Sequence, residues 1–131
     1  MPDNQCPGIR LKLGGNNDYL SIERGKLALE TYSQGEYSFP KNQWVNVVLE
    51  MTLSGDDTGQ NKLIIDGVEV INTSFANMPS QAVFGPLFQQ EGIDFQLQEP
   101  VFYERFQIGA TANLTESDLD LFIDNVQLTI Q

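Results

Sequence analysis

The sequence predicts an all-β chain built as an antiparallel two-sheet β-sandwich. Three observations predict it. Apolar and polar residues alternate through many short runs, Gly-, Asn- and Asp-rich turns separate those runs, and no stretch sustains a helical period. Residues 9–13 alternate first, with Arg10 and Lys12 on the polar parity, and stop at Gly14-Gly15-Asn16-Asn17-Asp18. Residues 19–23 alternate next, with Leu20 and Ile22 on one face. Arg24-Gly25 supplies a turn into a third strand over residues 26–32, and residues 37–40 read as an edge.

Residues 44–53 make the longest alternating run, with Val45, Val47, Leu49, Met51 and Leu53 on one parity and Asn46, Glu50 and Thr52 on the other. Trp44 shares no parity with the valines and reads as a packing residue at the sandwich edge. After a polar loop, residues 63–65 and 68–71 flank Asp66-Gly67. That pair predicts a tight hairpin, because both positions need a positive φ that Asp and Gly tolerate. Residues 82–84 and 93–97 read as short strands split by Gly85-Pro86 and Gln89-Gln90-Glu91-Gly92. Residues 101–109 alternate again, with Glu104 on the apolar parity requiring a bulge or a partner. After a single short turn at 116–118, residues 119–130 close the chain, with a parity switch at Asp124-Asn125 that one bulge repairs.

Composition bounds the function. The 131 residues suffice for one domain, expected over residues 9–131 behind a flexible segment at 1–8. Eighteen acidic residues against seven basic ones give a net charge of -11, which argues against nucleic acid as a partner. No apolar run reaches the length of a membrane span. With no His and a single cysteine, Cys6, the chain cannot build a Ser-His-Asp site, a zinc finger or an intrachain disulfide. No basic leader followed by an apolar stretch is visible at residues 1–8. The triplets Asn72-Thr73-Ser74 and Asn113-Leu114-Thr115 match the acceptor pattern for N-linked glycans.

Two stretches together resemble the concanavalin A-like lectin/glucanase superfamily, which includes laminin G-like domains and jelly-roll polysaccharide lyases. The first is Asn42-Gln43-Trp44-Val45-Asn46-Val47-Val48-Leu49-Glu50 followed by Lys62-Leu63-Ile64-Ile65-Asp66-Gly67-Val68-Glu69-Val70. The second is Phe106-Gln107-Ile108-Gly109 followed by Leu121-Phe122-Ile123-Asp124-Asn125-Val126-Gln127-Leu128. The resemblance implies a jelly roll with a concave polar face that holds a saccharide chain, in an extracellular or cell-surface part of a longer secreted protein. It also implies that a structural calcium ion is a candidate cofactor.

A saccharide face needs an aromatic ring against sugar C–H groups and planar amide or guanidinium groups for paired contacts. Tyr103, Arg105 and Gln107 form one alternating row with that chemistry, and Arg10 and Lys12 form a second; these five are the candidate carbohydrate contacts. The bland account of such rows is the solvated face of a half-buried sheet. For calcium the candidates are Asp56, Asp57 and Asp124, whose local reading is turn and bulge formation by side-chain hydrogen bonds. The leading expectation is a non-catalytic glycan-binding domain. Its rivals are a structural or adhesion module that contacts protein, and a polysaccharide lyase in which Tyr103 moves the proton while Arg105 and Gln107 neutralise a uronate carboxylate.

Overall fold

The computed structural model describes residues 8–14, 19–24, 30–103, 106–109 and 120–131. The chain divides into two compact units, Met1–Val101 and Phe102–Gln131. All the regular structure of the described residues lies in the first. It consists of β1 (Ile9–Gly14), β2 (Tyr19–Arg24), β3 (Glu30–Ser38), β4 (Val47–Thr52), β5 (Gln60–Ile65), β6 (Val68–Ser74) and one helix, α1 (Gln81–Gln90). The strands form two antiparallel three-stranded sheets, ordered β1-β2-β3 and β4-β5-β6.

The alternation of the sequence sets which side of each strand turns inward. In β2, Leu20 and Ile22 are buried; in β5 every second residue is buried, Asn61, Leu63 and Ile65. Leu20 and Ile22 from one sheet join Leu63, Ile65, Val70 and Ile71 from the other, and Phe75 just past β6, in a single apolar cluster. The β5–β6 hairpin turns on Asp66 and Gly67, with φ of 49° and 80°, as the Asp-Gly pair predicts. Past the turn the ladder slips. Ile64 pairs with Glu69 and Leu63 with Ile71, so Val70 is an extra residue, and Val70 and Ile71 both turn into the core.

A buried amide pair locks the end of β4 to the start of β5. Asn77 Nδ2 donates to the Thr52 carbonyl at 2.9 Å and to Asn61 Oδ1 at 3.1 Å, and its Oδ1 accepts from the Ser54 N–H at 2.8 Å. Arg24, buried on the core side of β2, reaches the Ala76 carbonyl with Nη1 at 2.8 Å and so ties the first sheet to the segment after β6.

Several expectations are corrected. Residues 82–84 belong to a helix. The Ser80 hydroxyl caps it by accepting from the Val83 N–H, and Phe84 and Phe88, one turn apart, bury a common face on Phe95, whose ring stacks on Phe88 at a centroid distance of 4.6 Å. Pro86 sits inside this helix rather than ending it, giving up only the N–H that would bond the exposed Ala82. Residues 93–97 form no strand, because the Gln81 carboxamide takes the place of a neighbouring strand: Nε2 donates to the Phe95 carbonyl and Oε1 accepts from the Leu97 N–H, both at 2.7 Å.

The strand read over residues 44–53 is shorter and lies at an edge, where only β5 pairs with it among the described residues. Trp44 accordingly stands 69% exposed rather than packed. Among the described residues of 101–109 and 119–130 there is no strand either. Alternation supplies a face, but a strand also needs a hydrogen-bonding neighbour. The turns at 15–18 and 25–29, together with Cys6, Glu104 and Asn113, lie outside the described residues.

Candidate functional site

The β1–β2 hairpin brings two of the five candidate contacts together. Register sets Arg10 opposite Glu23 and Lys12 opposite Ser21, so the even residues of β1 share a sheet face with the odd residues of β2. Glu23 is only 4% exposed, and both cations converge on it. Arg10 donates to Glu23 Oε1 through Nε at 2.6 Å and also through Nη2, while Lys12 Nζ lies 3.6 Å from Oε2. The outer parts of the two cations stay in solvent, with side-chain exposures of 51% and 58%. A charge-assisted clasp of this kind removes much of the rotamer freedom that a free surface cation would lose on meeting a ligand.

Local charge supports the same face. β1 and β2 together hold Arg10, Lys12 and Arg24 against the single acid Glu23, a net +2 in a chain of -11. Arg24 is buried on the opposite side, so β1 and β2 leave Arg10 and Lys12 against Glu23 on this face, a net +1, while β3 adds Glu30 and Glu36 to the sheet.

Tyr103 and Gln107 are exposed, and Arg105 lies outside the described residues. The described residues around them form no strand. Two of the three carboxylates considered for calcium, Asp56 and Asp124, bond groups next to them in the chain. Asp56 Oδ1 accepts from the Thr58 hydroxyl, the Thr58 N–H and the Ser54 hydroxyl, which hold its carboxyl below the ordinary carboxylate value. Asp124 Oδ1 accepts from the N–H of Asn125, whose φ is 52°. Asp57 is exposed, and among the described residues no three His, Cys, Asp or Glu side chains cluster as a metal site would require.

An open groove of about 490 Å³ lies within the first unit, lined by Leu53, Met78, Gln81, Leu97 and Glu99 among others. Its walls offer neither an aromatic ring nor a cation, and its Ser54 and Ser80 hydroxyls are engaged with Asp56 and with the Val83 N–H. Glu23 escaped sequence reasoning as a site residue; the signal was its place on the polar parity of a hairpin whose other strand alternates two cations. Comparison with known proteins finds no matching family model, no similar curated protein and no similar solved structure.

Proposed function

We propose that the chain is a non-catalytic carbohydrate-binding module of a secreted or cell-surface protein, built as a two-sheet β-sandwich of the concanavalin A-like kind and contacting a glycan through the β1–β2 face. The observation that carries this reading is the pair Arg10 and Lys12, held in register by one buried carboxylate with their outer parts in solvent. A guanidinium fixed along one edge keeps its other edge for paired contacts to hydroxyl or carboxylate oxygens. The local use of Asp56 and Asp124 supports binding without calcium. The lyase alternative needs Tyr103, Arg105 and Gln107 side by side, and Arg105 lies outside the described residues.

The test is retention of the purified chain on immobilised neutral and uronic-acid polysaccharides, with calcium and then with chelator. We expect retention that chelator leaves unchanged and that Arg10→Ala or Lys12→Ala weakens about tenfold, the loss of one charge-assisted contact. Folded wild-type chain that no polysaccharide retains would sink the proposal. It would leave the protein-contacting module, which the exposed apolar edge at β4 favours.

A further inference from the structure

We draw no further inference here: the strongest candidate, the open groove between the end of β4 and the start of α1 lined by Leu53, Met78, Gln81, Leu97 and Glu99, holds one exposed carboxylate and no other charge, and nothing in the structure shows which ligand would fill it.

Discussion

A methyl group added to Gly59 would stand 2.3 Å from the Phe75 carbonyl oxygen and 3.1 Å from Asn77 Oδ1. The nearer obstacle is backbone, and Phe75 is held there by its own N–H bond to the Gly59 carbonyl at 2.9 Å, so neither side yields easily. Gly59→Ala should therefore cost about 2–3 kcal/mol, read as a lowered urea midpoint with an unchanged slope. This requirement was not legible in the sequence, where Gly59 looks like any residue of a polar loop; the close approach comes from a segment beyond the next two strands. The Asp66-Gly67 turn was legible, because its constraint is written in two adjacent residues. At Asp124-Asn125 the sequence pointed to a strand bulge; no strand forms there, and Asn125 instead takes a φ of 52° with its N–H bonded by Asp124. At this scale the sequence reveals what a residue does to its own backbone and hides what it does to a distant one.

At the scale of elements, periodicity identified β1, β2, β4 and the β5–β6 hairpin, and it placed the inward parity of β4 correctly. It did not identify α1. Gly85 and Pro86 argue against a helix, and the features that outweigh them are a capping Ser80 and two phenylalanines whose common partner, Phe95, arrives from beyond the helix. Nor could it tell an edge strand from a central one, because the order of strands in a sheet depends on neighbours that alternation does not encode. The helix and the return segment after it are joined by the Gln81 carboxamide, which bonds the backbone of Phe95 and Leu97 as a strand would. Gln81→Ala should cost about 1 kcal/mol and speed hydrogen exchange at the Leu97 amide while leaving β5 protected; unchanged exchange at Leu97 would show that the phenylalanines alone hold the segment.

At the scale of the molecule, the first unit depends on one apolar cluster fed by both of its sheets. Leu63 is fully buried at its centre, so Leu63→Ala should lower stability by about 2–5 kcal/mol. The loss should reach across the cluster: amide protection should fall in β2 as well as in β5, and a loss confined to β4, β5 and β6 would mean that the sheets are not one cooperative body. The antiparallel all-β character was legible from strand count and turn chemistry. Among the candidate contacts, the shared parity of Arg10 and Lys12 was legible, but their common partner Glu23 could not be inferred without the hairpin register. The row of Tyr103, Arg105 and Gln107 needs a strand partner, which sequence periodicity does not supply, and its middle residue lies outside the described residues.

The extra residue at Val70 gives the β5–β6 hairpin an unusual tolerance to change in length. From Glu69 to Ile71 the chain takes two steps to match the single step from Ile64 to Leu63 on the facing strand. A chain lacking Val70 would still present Ile71 to Leu63, in a regular ladder, with the loss of one buried side chain. Loss of a residue further along β6, opposite Lys62 or Asn61, would instead turn the rest of the strand inside out. Length variation in this hairpin is thus confined to one point, where natural deletion or deliberate shortening leaves the facing of every other residue intact.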